Sequence, residues 1–415
     1  NEDFYAFLVN FLKVYSDMFL TTGNESTSRK VFFAGESHAG HYIPSIMDYI
    51  LKKNEEDAEI YIELGGAAIG NGWVDPYNQY AAAAAAYGTG LIDLAQWADL
   101  NRKEKECQKQ MDDGTLNANI CFSLLDSIIT DSNGWQKYKV SVYDNRVWEL
   151  LTEPRSFPKG HKIVEAFLGN VKENKQQHPS NPKMPDATSQ LVLIAIHATE
   201  ATHAGQFYKE CTDPPYDALV HQDGKGVVPE LVRVLSHPDQ IPVLFFNGMN
   251  DLMCNHASNE RFLDLLPWDH AKDFTLAKRF VWNGVNKDNL PAGYVKQHRN
   301  LILLKIRDSG HMVPMDQPEL SLQMMRTFLF ANSFQDKPQS NLGTLLPANQ
   351  EQCQKCPDTS DCTPTKTELP ESDYGNVKTS FKGGFQEKTE TRQTPNEDPA
   401  QRFVIAGAWM GALMA

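Results

Sequence analysis

The stretch that most limits what this chain can fold into is Val31-Phe32-Phe33-Ala34-Gly35-Glu36-Ser37-His38-Ala39-Gly40, with a helix-forming segment at 42–53 directly behind it. An apolar run of strand length, a G-x-S-x-G turn and a helix form one unit. The serine sits on a sharp strand-to-helix turn that projects its hydroxyl from the sheet, and small neighbours let the backbone turn that tightly. Ser37 is therefore a candidate nucleophile. Glu36, an acid directly beside it, is the unusual feature.

The rest of the chain supplies a sheet for this turn. From residue 1 to about 333, apolar runs alternate with helical stretches, the pattern of an α/β domain. Strands are expected at 30–34, 60–69, 243–247, 274–281 and 301–306, and helices at 42–53, 255–266 and 318–331. Residues 80–235 are less regular and richer in charge, and read as a helical insertion covering the active edge of the sheet. Their alanine run, 81–86, favours helix. Phe4, Phe7, Leu8, Phe11, Leu12 and Tyr15 recur at helical spacing, so the chain opens with an amphipathic helix. Glu2 and Asp3 stand where a signal peptide would carry positive charge. A core-type helix this early predicts that more of the domain precedes Asn1.

A formal charge of −14 over 415 residues argues against nucleic acid as a partner, because phosphate binding needs basic patches. The seven cysteines are Cys107, Cys121, Cys211, Cys254, Cys353, Cys356 and Cys362. They show no zinc spacing, since Cys353-x-x-Cys356 stands alone, so neither a metal nor a cofactor is expected. A disulfide-permissive compartment fits better, and the sequon Asn24-Glu25-Ser26 makes Asn24 a candidate glycosylation site. Residues 334–402 are polar, poor in aromatics and unable to bury enough surface to fold alone; they read as a disordered linker. Residues 403–415 carry no charge. They are too short to span a bilayer but read as the start of a transmembrane helix that the sequence cuts short.

A nucleophilic serine needs a base and an acid that orients it. Asp251 follows the 243–247 strand, and His311 follows the 301–306 strand. The order Ser37, Asp251, His311 is that of the α/β-hydrolases. Four segments here resemble the serine carboxypeptidase family: Gly35-Glu36-Ser37-His38-Ala39-Gly40 (with His38 where members usually carry Tyr), Gly70-Asn71-Gly72-Trp73-Val74-Asp75-Pro76, Asn247-Gly248-Met249-Asn250-Asp251-Leu252-Met253-Cys254-Asn255, and Ser309-Gly310-His311-Met312-Val313-Pro314.

The resemblance implies a serine-type carboxypeptidase with Ser37, Asp251 and His311 as its triad. It makes the backbone N–H of His38 an oxyanion donor. It assigns Glu36 to the substrate's terminal carboxylate, capping of the following helix being the competing reading, and Met312 to the substrate pocket or else to the core. It also implies a Cys107–Cys121 disulfide, a buried Cys254 thiol and an unpaired Cys211, and leaves Cys353, Cys356 and Cys362 open. The Gly-Gly-Pro-Gly segment that gives family members a second oxyanion donor is not in this sequence; one such donor is worth about 10²–10³ in kcat.

The polar tail and apolar end look most like the fungal prohormone-processing members. That points to peptide and prohormone substrates trimmed at C-terminal Lys and Arg, with single-pass anchoring in the Golgi membrane. The alternatives are a broad-specificity vacuolar or secreted carboxypeptidase, an acyltransferase using the same triad, and a membrane-tethered protein impaired in catalysis.

Overall fold

A computed structural model describes residues 1–56, 58–133, 137–150, 217–284, 290–331 and 334, with the backbone of 403–407. These belong to one compact unit, residues 1–335 with 402–415; the second unit, 336–401, lies outside the described residues. So do Cys211, Cys353, Cys356 and Cys362, the rest of the expected linker and residues 408–415.

Two helices, α1 (Glu2–Val14) and α2 (Ser16–Phe19), precede β1 (Lys30–Glu36), α3 (Ala39–Glu55) and β2 (Leu64–Gly70). Next come α4 (Pro76–Gln79), α5 (Ala83–Gly88), α6 (Leu94–Asp112), α7 (Asn119–Asn133) and a hairpin of β3 (Tyr138–Val140) and β4 (Trp148–Leu150). The chain continues with α8 (Val228–Ser236), β5 (Val243–Gly248), α9 (His256–Asp264), α10 (Ala271–Leu276) and β6 (Arg279–Trp282). It closes with β7 (Gly293–His298), β8 (Leu301–Ile306), α11 (Val313–Asp316), α12 (Pro318–Phe330) and β9 (Phe403–Gly407).

The seven-stranded sheet runs β6-β7-β8-β5-β2-β1-β9. Strands β9, β1, β2, β5 and β8 are parallel, while β7 runs antiparallel to β8 and to β6. Alternate residues of each strand face opposite sides, and both sides are covered. Val31, Phe33, Ala67, Ile69, Val243, Phe245, Leu301 and Leu303 pack with residues of α1, α3, α8, α9 and α10. Phe32, Ala68, Leu244, Phe246, Ile302 and Leu304 pack against Leu320, Met324 and Phe328 of α12. Burial on both faces explains why these strands read as unbroken apolar runs.

Several expectations are corrected. Residues 274–281 are not one strand: Phe274 lies in α10, fully buried with the Lys296 ammonium 4.8 Å over its ring, and the strand starts only at Arg279. Strand β7 was not expected, because Lys296 and His298 interrupt its apolar pattern. The 60–69 run becomes regular only at Leu64; Ile60 and Ile62 are buried, but the Asn54 side chain ties the backbone of Ile62. In α1 the buried stripe is Leu8, Val9 and Leu12, whereas Phe7 and, just past the helix, Tyr15 are exposed. Helix α8, inside the span read as an insertion, packs into the sheet's core through Leu231, Val234 and Leu235. Helices α5, α6 and α7 instead share a small core of their own that includes Cys107 and Cys121.

Residues 403–407, expected to open a membrane helix, form β9, parallel to β1. A run with β-branched Val404 and Ile405 suits a strand, and pairing satisfies the backbone groups along that edge of β1. Among the described residues no helix is long and apolar enough to cross a membrane.

Candidate active site

Ser37 is the first residue past β1. Its φ of 61° lies in the left-handed region, which costs a residue with a Cβ and persists only where surrounding contacts hold it. Here they do. The Ser37 N–H donates to Gly70 O at 2.9 Å, and the Ser37 carbonyl accepts N–H groups from Gly40 at 3.0 Å and Trp73 at 2.9 Å. Gly40 permits this closeness, because a Cβ on it would lie 2.5 Å from Trp73 N. His38 is the N-cap of α3, so its N–H stands where the first groups of a helix lack intrahelical acceptors. The His38 ring lies 4.8 Å from that of His41 and 5.0 Å from that of Tyr42. Burial, with His41 adding to it, pushes the His38 imidazole down to about 4, so it is neutral near pH 7.

Asp251 follows β5 and is buried. Its Oδ2 accepts from His311 Nδ1 at 2.7 Å, from Asn71 Nδ2 at 2.7 Å and from the Cys254 N–H at 3.2 Å, while Oδ1 accepts from the Met253 N–H at 2.8 Å. A carboxylate that accepts this many bonds is fixed in direction. His311, after β8, is fully buried. Burial pulls its imidazole down, but the charge and hydrogen bond of Asp251 together with Glu36 outweigh that and leave it raised. Its Nε2, facing away from Asp251 on the ring, has no hydrogen-bond partner among the described residues. The structure thus joins Asp251 to His311 but leaves the Ser37–His311 hydrogen bond unmade, as catalytic contacts often are before substrate binds.

Glu36 ends β1, and its carboxyl accepts the Val313 N–H. Burial, reinforced by Asp251 and Asp316 and opposed by His311 and the Val313 N–H, pushes its carboxyl up to about 7. Met312, beside His311, is half-buried, and Asn24 is exposed on a turn. Cys107 and Cys121 form a disulfide with Cα atoms 5.0 Å apart, and Cys254 is a buried thiol outside any disulfide. Asp251, Cys254 and His311 also bring metal-ligating atoms within 4.8 Å of one another, a closeness that the hydrogen bonds around Asp251 already account for.

Two contributors escaped the sequence reading. Fully buried Asn71, with φ 40°, donates to Asp251 and accepts the Gly248 N–H at 3.0 Å, locking together the ends of β2 and β5. Its place between Gly70 and Gly72, just past a strand, was the available signal. The turn joining β3 to β4 is the other. Tyr143 O accepts the His311 N–H at 2.7 Å, Val142 O accepts from Leu252 at 3.1 Å and Met253 at 3.0 Å, and Asn250 O accepts from Asn145 at 2.9 Å. Arg146 reaches Asp144 at 2.7 Å and Asp316 at 3.1 Å, and Asp316 accepts the Gly310 N–H at 2.7 Å. Nothing in the spacing of residues 141–147 announces that they brace both the Asp251 and the His311 loops.

The carboxyl ends of four adjacent parallel strands, β1, β2, β5 and β8, therefore carry Ser37, Asn71, Asp251 and His311, with helices on both faces of the sheet. The fold and the site define an α/β-hydrolase built around a serine elbow. The chain belongs to the serine carboxypeptidase family, whose profile matches residues 1–331.

It is 31% identical to the pheromone-processing carboxypeptidase KEX1 of Phytophthora infestans (strain T30-4) over 361 residues, 86% of this chain and 56% of that protein. It is 32% identical to the serine carboxypeptidase S10 family member 2 of Dictyostelium discoideum over 355 residues, 82% of this chain and 55% of that one. The chain thus spans about half the length of these curated relatives. The crystal structure of Kex1(delta)p, a prohormone-processing carboxypeptidase from Saccharomyces cerevisiae, superposes with a TM-score of 0.61. At 23% identity, with 79% of this chain and 66% of that one covered, it shows the same fold.

Proposed function

We propose that the protein is a serine carboxypeptidase that removes C-terminal residues, preferentially Lys and Arg, from peptides and prohormone precursors in the secretory pathway. The observation that carries the reading is the His311–Asp251 pair on the loops beside the Ser37 elbow, together with a carboxyl, Glu36, pushed up to about 7 and so protonated below neutral pH. His311 Nε2 takes the Ser37 hydroxyl proton as Oγ attacks the scissile carbonyl, and Asp251 holds the imidazolium that results. The His38 N–H faces the developing oxyanion. Collapse of the intermediate passes that proton to the leaving amine and releases the terminal amino acid, and water then cleaves the acyl-enzyme by the same steps.

Glu36 decides exopeptidase over endopeptidase. Two carboxyl groups share a site only if one holds a proton, and Glu36 is the one whose surroundings favour it. The basic preference and the processing role rest on the relatives' names and on the sequence resemblance. The Cys107–Cys121 disulfide supports an oxidising compartment. The Golgi is the secretory station proposed on the same resemblance.

Incubating the full-length protein with a peptide ending in Lys-Arg and following it by mass spectrometry should show stepwise loss of single C-terminal residues, absent in Ser37→Ala. An inert peptide, or internal cleavage, overturns the carboxypeptidase reading. Equal trimming of a peptide ending in Leu-Phe overturns only the basic preference.

A further inference from the structure

A second cluster of ligating side chains lies outside the site described above. His270 is the N-cap of α10, Asp273 sits in the first turn of that helix, and His298 ends β7. Asp273 Oδ2 is 3.9 Å from His270 Nδ1 and 3.9 Å from His298 Nε2, and one ligand atom from each of the three residues falls within 4.8 Å of the others. Those separations are too long for hydrogen bonds. They are slightly wider than the roughly 3.4 Å that separates donors around a tetrahedral ion with bonds of about 2.0–2.1 Å. His298 Nε2 is buried yet has no hydrogen-bond partner among the described residues, a state that buried polar atoms rarely keep without a reason.

The frame around the cluster is already fixed. Trp268, itself buried, stands edge-on to both imidazoles, 5.2 Å from His270 and 6.3 Å from His298, and limits how the rings turn. The His270 carbonyl accepts the Phe274 N–H at 2.9 Å, which ties the first ligand to the helix of the second. Lys296, two residues before His298, lies over Phe274 and bonds Asp264 at 2.6 Å, holding α10 against β7 and satisfying its own charge. The Asp273 side chain is 62% exposed, against 29% for His270 and 28% for His298. Water can therefore complete the coordination, and the exposed carboxylate and half-buried imidazoles can close in on an ion.

We propose that His270, Asp273 and His298 bind one Zn²⁺, which staples α10 to the β7–β8 hairpin. Two imidazole nitrogens and one carboxylate suit zinc, whereas Mg²⁺ and Ca²⁺ call for oxygen donors throughout. The ion joins α10 to β7, which pairs with β8, the strand leading to His311, and it takes no part in hydrolysis.

Calorimetric titration of the metal-free full chain with Zn²⁺, with a thermal melt at each end, tests this. The expected result is one equivalent bound and a rise of a few degrees in Tm. Binding should weaken at least about tenfold in His298→Gln and vanish in His270→Gln/His298→Gln, while persisting in Asp251→Asn. Zinc that stays in the double variant and is lost in Asp251→Asn belongs to the Asp251–Cys254–His311 group and overturns the proposal, as does no binding up to millimolar metal. If the double variant does not fold, Asp273→Asn serves, because that side chain is exposed and its loss leaves the packing intact; unchanged affinity there overturns the site equally.

Discussion

At the scale of single residues, Glu36 and His311 act as one titrating pair. Each raises or lowers the other's proton affinity, so they are better treated as a coupled system than as two separate groups. In the mechanism proposed above, the productive form has Glu36 protonated and His311 neutral. Peptide KM in the wild type should therefore rise as pH climbs through about 7 and Glu36 loses its proton. Glu36→Gln should flatten that rise. It should also move the acid limb of ester hydrolysis to lower pH, because His311 loses an anionic neighbour that holds it raised. An unmoved acid limb in Glu36→Gln would show that the two groups do not share protons. The linkage has a definite sign. A carboxyl raised in the folded state contributes stability at low pH and loses it between its ordinary value of 4.5 and about 7, so wild-type Tm should fall relative to that of the Gln variant across that window. Asn71 gives the second prediction. Asn71→Ala leaves the Gly248 N–H without its acceptor and Asp251 without one donor, each inside the core. A buried group left unsatisfied costs about 1–3 kcal/mol, so denaturant melts should show a loss of that order. With Asp251 less firmly aimed, kcat should drop more than KM changes.

At the scale of elements, the site depends on how closely α3 can approach the segment after β2. A Cβ at Gly40 would meet the Trp73 backbone at 2.5 Å on N and 2.7 Å on O. Gly40→Ala must push the start of α3 outward, carrying the His38 N–H and the Ser37 carbonyl contacts with it. Overpacking of this kind costs about 1–3 kcal/mol. Activity should fall by at least about tenfold beyond any loss of folded protein, measured by active-site titration against total folded enzyme. Retained kcat per folded molecule would show that the elbow tolerates the shift. This elbow was the most legible element in the sequence, since its strand, turn and helix are contiguous and each residue type reports its local backbone. Strand β8 was equally legible, because a strand buried on both faces announces itself as an apolar run. Strand β7 and helix α10 were not. Lys296 and His298 read as surface residues until the structure shows Lys296 over Phe274 and bonded to Asp264, and Phe274 reads as a strand residue until a helix buries it.

At the scale of the whole molecule, the sheet's two-sided core carries the site, while α5, α6 and α7 form a smaller core joined by the Cys107–Cys121 bond. That bond closes a loop of 14 residues, and cross-linking a loop of about that length stabilises by about 3 kcal/mol. Cys107→Ala/Cys121→Ala should lower the stability of this helical layer by that order in calorimetry, with the sheet's own transition less affected. A single unchanged transition would mean that the two cores unfold as one. The sequence by itself determined the α/β class and the family, and it placed Ser37, Asp251 and His311 in hydrolase order with Glu36 beside the serine, because each is written in adjacent residues or in apolar periodicity. Only the tertiary structure decided what holds those groups: Asn71 clamping Asp251, the 141–147 turn bracing the His311 loop, and the surroundings that raise the proton affinity of Glu36. These are contacts between segments far apart in the chain, 180 residues for Asn71 and Asp251. No local pattern encodes them, since they arise only when the sheet brings the carboxyl ends of four strands together and excludes water from between them.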